Sequence, residues 1–283
     1  MTRIFLLGRG EVNEEQWDKA AAVAHQQFRR GDLIVSTPLW TDPLMRWKLG
    51  DLLSLSDAGY SELKAYNNLW VLSVAGSHHE LEPKHSPSYE KHFASLTLKK
   101  WPLRSIAPRY DFFSHISEAE VSLGTRPCRW NERGGSLGGG LNTGPLRPER
   151  RFQCSRAKHW LWVGQTVIED LELKARACIW QHPDGPTPIR STFPSVLLSD
   201  RLVFYGGLYY MHERDHAGPP LDFSIEIAGV KVADFVHRDG EGWKRYLLDT
   251  HRLKGNVADV TVSVSAKEPH LRTFCWTGFS EEK

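Results

Sequence analysis

Asp239-Gly-Glu-Gly-Trp243-Lys-Arg-Tyr-Leu-Leu-Asp249-Thr-His-Arg-Leu253-Lys-Gly255, followed by Val260-Thr-Val-Ser-Val-Ser-Ala266, is the stretch that decides the fold. Gly240 and Gly242 punctuate a turn, and Asp249 to Gly255 reads as a second turn. From Val260 onward every other residue is apolar, the period of a strand with one buried face. The same texture of short runs broken by Gly, Pro and Asp recurs at 111–123, 167–177, 202–210 and 223–227. Several such strands in a region of this size predict an antiparallel β-sandwich over 105–283.

The first hundred residues have a different rhythm. Residues 3–7 suit a short strand. Asn13 before Glu14-Glu15-Gln16-Trp17 is a helix start, and Trp17, Ala20, Ala21, Ala24 and Phe28 form a stripe at helical spacing that stops at Gly31. Residues 33–36 and 69–74 read as buried strands, with a second helix or turn region at 40–53 between them. The order β-α-β-α-β predicts a small α/β unit over 1–104, making the chain α+β overall. The polar segment 77–92, with Pro83 and Pro87, reads as a loop, and 93–101 as a returning edge strand. Residues 134–144, GGSLGGGLNTG, predict a flexible surface loop beside Arg133, Arg147, Arg150 and Arg151.

The 36 basic residues nearly balance 34 acidic ones, for a net charge of +2, which gives no pointer to nucleic acid as a partner. No apolar run approaches the ~20 residues of a membrane-spanning helix. Cys128, Cys154, Cys178 and Cys275 all fall in the β-rich part, an even number that fits two disulfides, against four reduced buried thiols. Cys128 and Cys154 flank the glycine-rich loop that a bridge would close. With no CxxC, a thiolate zinc site has no support.

His212-Glu213-Arg214-Asp215-His216 matches HExxH, in which two imidazoles one helical turn apart hold zinc and the Glu is the general base. That chemistry needs a helix, whereas the motif follows a strand and precedes Pro219 and Pro220. A solvated hairpin tip is therefore preferred, and a zinc-dependent hydrolase using His212, His216 and Glu213 is the catalytic alternative. Gly8-Arg9-Gly10 before a helix resembles a dinucleotide turn, but Asn13 replaces the third glycine and Asp32 precedes its strand. His78, His79, His85 and His92, with Glu80 and Glu82, are irregularly spaced and read as a solvated loop. No GxSxG elbow and no P-loop is present.

Aromatics near turns are more informative. Trp180 before His182-Pro183, Tyr209, Tyr210 and Trp243, with Asp239 beside the last, are the residue types that stack on sugar faces and take hydroxyls. They are the candidate ligand-binding residues, unless they serve only as core and rim of the sandwich.

The 239–266 stretch resembles the late strands of galactose-binding-like jelly rolls, in which a Trp, an Asp-containing turn, Leu and Gly precede an alternating strand. The resemblance covers about the last hundred residues and implies a jelly roll that binds carbohydrate without catalysis. Gln16-Trp17, Phe28-Arg-Arg-Gly31-Asp32-Leu-Ile-Val and Trp70-Val-Leu-Ser-Val resemble the soluble extracytoplasmic region of bacterial protein-mannosyltransferase-like membrane glycosyltransferases. The membrane-embedded catalytic half of that family has no counterpart here. These resemblances imply an extracytoplasmic chain, periplasmic or at the cell surface in preference to cytoplasmic, that has carbohydrate or a glycan-processing membrane protein as its partner. A purely structural sandwich docking through the basic residues of 147–151 is the third reading.

Overall fold

The computed structural model describes residues 13–53, 59–134, 145, 147–214 and 218–283, so the expected strand at 3–7, nearly all of the glycine-rich run and His216 lie outside the described residues. The chain divides into two compact units, Met1–Ala107 and Pro108–Lys283. Among the described residues no helix is long and apolar enough to cross a membrane.

In the first unit, helix α1 (Glu14–Gln27) starts where Asn13 accepts the Gln16 N–H, and it buries Trp17, Ala20, Ala21 and Ala24. Strand β1 (Leu33–Thr37) runs parallel to β2 (Asn68–Val74), with helix α2 (Asp42–Leu49) in the connection. The run Leu69 to Leu72 of β2 is continuously apolar because both its faces are covered. Trp70, Leu72 and Val74 pack with α1 and α2, while Leu69 and Val71 pack with Tyr66 and Trp101. The sheet continues through β4 (Leu96–Pro102) to β3 (Tyr89–Phe93). The edge is thus β3, inside the expected loop, and the returning segment is internal. An edge strand keeps one side in water, so Glu90, Lys91 and His92 carry no apolar signal there. Asp32 is buried, and Trp70 Nε1 (2.9 Å), Asn68 Nδ2 (2.7 Å) and Arg29 N (3.2 Å) all donate to its carboxylate, which ties β1 to β2.

The second unit is a β-sandwich. One sheet takes its main path through β16 (Lys244–Asp249), β13 (Arg201–Leu208), β18 (Phe274–Glu281), β11 (Ala175–Gln181), β10 (Trp162–Glu169), β9 (Arg151–Gln153) and β8 (Arg129–Asn131), with β5 (Tyr110–Asp111) on β18. The other runs β15 (Val230–His237), β14 (Leu221–Ile227), β17 (Val257–Ala266), β12 (Ile189–Leu197), β6 (Glu120–Leu123) and β7 (Arg126–Pro127). Phe204, Ile179 and Trp276 from the first meet Phe193, Phe223 and Val262 from the second in one core. Gln181 ties the sheets together. It accepts from Trp276 Nε1 (3.0 Å) and donates to the carbonyls of Ile189 (2.9 Å) and Val262 (3.3 Å).

Two expected strands break where carboxylates seize the backbone. Residues 167–177 form the hairpin of β10 and β11, because Asp170 Oδ1 accepts the Glu172 and Lys174 N–H groups and turns the chain. Residues 111–123 fold at Asp111, whose side chain accepts the Phe113 N–H, into a short 3₁₀ turn before β6. Both disulfides form, Cys128–Cys154 and Cys178–Cys275. The basic loop is less exposed than expected. Arg151 lies buried in β9, donating to the Pro148 and Gly134 carbonyls, so its charge is unavailable to a docking partner.

Candidate functional site

Antiparallel pairing brings four strand ends together at one end of the larger sheet. The start of β10 lies beside the end of β11, the start of β18 beside that same end, and Leu208 at the end of β13 beside Phe274. The segments leaving these ends line a cleft of about 720 Å³, in the range of small-molecule sites. Lys158, His159 and Trp160 come from the turn before β10, His182 and Asp184 from beyond β11, and His270, Leu271 and Thr273 from before β18.

The cleft floor is a stacked pair, Trp162 and Trp180, with ring centroids 5.4 Å apart and planes 19° from parallel. Both rings are nearly buried, and the Cys178–Cys275 bridge and Tyr209 pack into the same cluster, with Tyr210 and Trp243 against it. Trp180 Nε1 donates to the Trp160 carbonyl at 3.2 Å, which fixes the turn carrying Trp160. The Trp160 side chain itself is 41% exposed, the one cleft tryptophan with a large exposed surface. Trp180, expected to stack on a ligand, spends its face on Trp162 and its N–H on the turn. Trp160 was not singled out by the sequence, although the Trp160-Leu161-Trp162 doublet astride a strand start was there to be read.

Polar groups surround this surface. His182 Nδ1 lies 2.7 Å from the Pro183 carbonyl, which can only accept, so Nδ1 carries the proton and Nε2 is left as an acceptor. Burial, above all, pushes this imidazole down to about 4, so the ring is neutral at physiological pH. The unfolded chain takes up a proton near the ordinary value of ~6.5, whereas the folded protein does not until about 4. Stability therefore falls as pH drops through that window, by an amount on the order of 2–3 kcal/mol from this ring. His182→Gln is expected to flatten that part of the profile, read from urea midpoints at pH 7 and 4.5. An unchanged pH dependence would refute the assignment. Asp184 pairs with Lys158 Nζ at 2.6 Å, and His212 Nδ1 lies 3.1 Å from Thr273 Oγ1.

Asp239 stands elsewhere. Its carboxylate receives both Nη groups of Arg272, at 2.5 and 3.2 Å, and the Gly218 N–H at 2.6 Å. Arg272 is fully buried, and a Cβ on Gly218 would lie 2.5 Å from its Cζ. The pair ties Asp239 to the segment that carries His270, Leu271 and Thr273 into the cleft wall.

Of the HExxH segment, residues 212–214 lie in a single turn of helix, α3 (Tyr210–Arg214), where a solvated hairpin tip is expected. Glu213 is buried, with Oε1 accepting the Gly242 N–H at 2.7 Å, while His237 Nε2 lies 3.6 Å from that oxygen, beyond hydrogen-bond distance. That oxygen anchors the 238–242 turn. Among the described residues no three His, Cys, Asp or Glu side chains are grouped to hold a metal.

No protein-family model matches the chain, and neither does any curated protein sequence. Among solved structures, it is similar over 42% of its length to Clostridium perfringens ZmpB, in a structure of the CBM51-2 and INT domains with GlcNAc, at 14% identity and a TM-score of 0.32. The match covers 25% of that chain, so the protein spans about a quarter of it. A CBM51 from Clostridium perfringens GH95, in complex with methyl-galactose, is matched over 41% of this chain and 78% of its own, at 8% identity and a TM-score of 0.29. The C-terminal CBM6 of LamC, a marine laminarinase of Zobellia galactanivorans, is matched over 42% and 88%, at 11% identity and a TM-score of 0.29.

Proposed function

We propose that the C-terminal unit is a non-catalytic carbohydrate-binding module of galactose-binding-like jelly-roll type, acting outside the cytoplasm beside glycan-processing machinery. The observation that carries this reading is Trp160, an exposed indole fixed at the mouth of a cleft whose other surfaces are a buried tryptophan pair and neutral or paired polar groups. A pyranose needs such a combination, a flat apolar plane for its C–H face and alternating donors and acceptors for its hydroxyls. His182 offers an acceptor, Lys158 a donor and Asp184 an acceptor. Two disulfides suit an oxidising compartment. The zinc hydrolase has less support, since Glu213 is buried with one carboxylate oxygen anchoring the Gly242 N–H.

The test is a glycan array probed with the wild-type protein and Trp160→Ala. Loss of one aromatic platform removes about 1.5 kcal/mol, so every sugar bound by the wild type should bind at least about tenfold more weakly to the variant. An array without hits, or hits indifferent to Trp160→Ala, would overturn the reading.

A further inference from the structure

Arg147 lines the same cleft, and its surroundings are unlike those of the other charged groups there. Lys158 and Asp184 neutralise one another, and burial keeps His182 uncharged. Arg147 has no such complement. Its Nε is buried without a hydrogen-bond partner, and among the described residues no carboxylate lies within ion-pair distance. Its nearest charged influence is unfavourable. Arg151 is held below the ordinary arginine range, by burial first and then by the positive charge of Arg147. Arg151 is itself buried, is not among the residues that line the cleft, and already spends N–H groups on the Pro148 and Gly134 carbonyls.

A guanidinium whose Nε is buried without a partner among the described residues, beside a like charge, is costly, and an anion at the cleft relieves both terms at once. The planar fork of Arg147 matches a carboxylate or a sulfate with two parallel hydrogen bonds. The cleft offers an anion little repulsion, because its one acidic side chain, Asp184, is already paired with Lys158.

From this we infer that the ligand is an anionic sugar, with its pyranose face on Trp160 and a carboxylate or sulfate substituent on Arg147. The inference rests on the glycan-binding reading and narrows it to one ligand class. Three groups of methyl glycosides decide it by isothermal titration: neutral hexosides, the matching uronosides, and their sulfated counterparts. The wild type is expected to bind at least one anionic member about tenfold more tightly than its neutral parent, and which one does so identifies the anion. Arg147→Gln should bring that ratio to about one while neutral sugars bind as before, and the anion preference of the wild type should weaken as salt rises. Arg147→Lys, which keeps the charge but not the fork, should retain only part of the preference. Equal binding of neutral and anionic sugars overturns this inference and leaves the carbohydrate reading standing. Binding of no sugar in any group overturns both.

Discussion

Replacing Cys178 and Cys275 together by alanine is expected to lower the unfolding free energy of the second unit by about 4–5 kcal/mol. The two residues are 97 apart in sequence, so the bridge removes a large closed-loop entropy from the unfolded chain. The Cys128–Cys154 bridge spans 26 residues, and the same relation gives it about 3.5 kcal/mol. The longer bridge also sits in the cluster beneath the cleft, among Trp162, Trp180 and Tyr209. Its loss should therefore reduce sugar binding as well as the melting temperature, which is expected to fall by on the order of 10 °C. Thermal melts of the two double variants check the ranking. An unchanged melting temperature for the Cys178/Cys275 variant would refute it.

Asp239→Ala is the second large effect. It strands the charge of the fully buried Arg272 and removes the acceptor of the Gly218 N–H, and breaking a buried pair from one side costs about 3–5 kcal/mol. Arg272→Met in the Asp239→Ala background should restore part of that loss, because the uncompensated charge is then gone. Urea denaturation of the single and double variants measures both. Recovery would attribute the damage to the charge, whereas a double variant no more stable than Asp239→Ala would refute that explanation. Sugar affinity should fall in Asp239→Ala even under conditions where it stays folded, since the pair ties down the segment that carries His270, Leu271 and Thr273.

The strands most visible in the sequence have one buried and one wet face. Strands β14 and β17 alternate cleanly because they pack Phe223, Ile225, Val262 and Val264 inward. Strand β15 carries a weaker signal because it lies at a sheet edge: Val230 and Val232 are exposed, and only Ala233, Phe235 and His237 in its second half face the core. Alternation also runs unbroken through the turn at Asp170, where a side chain and not a glycine reverses the chain. The parity of the cysteines pointed to two bridges. The Cys178–Cys275 pairing depends on β11 lying beside β18, a long-range fact that no local pattern encodes.

The candidate site was legible in type more than in place. Trp180 and His182 do reach the cleft, but Trp180 serves its floor. Trp160 was overlooked because Lys158-His159 before it reads as an ordinary polar turn, and its value comes from strand ends that meet only in the folded sheet. Asp239 reads from the sequence as a ligand-facing carboxylate, and Glu213 as part of a solvated tip or, in the catalytic alternative, as the general base. In the fold Asp239 is engaged by Arg272, and one oxygen of Glu213 by the Gly242 N–H, contacts between distant segments that no local pattern encodes.

The most direct test is a crystal structure of the protein with its best glycan-array ligand bound. The account predicts a pyranose ring lying on the Trp160 indole, about 4 Å away, with hydroxyls reaching His182, Lys158 or Asp184. A sugar seated on any other surface, with this cleft empty, would contradict it.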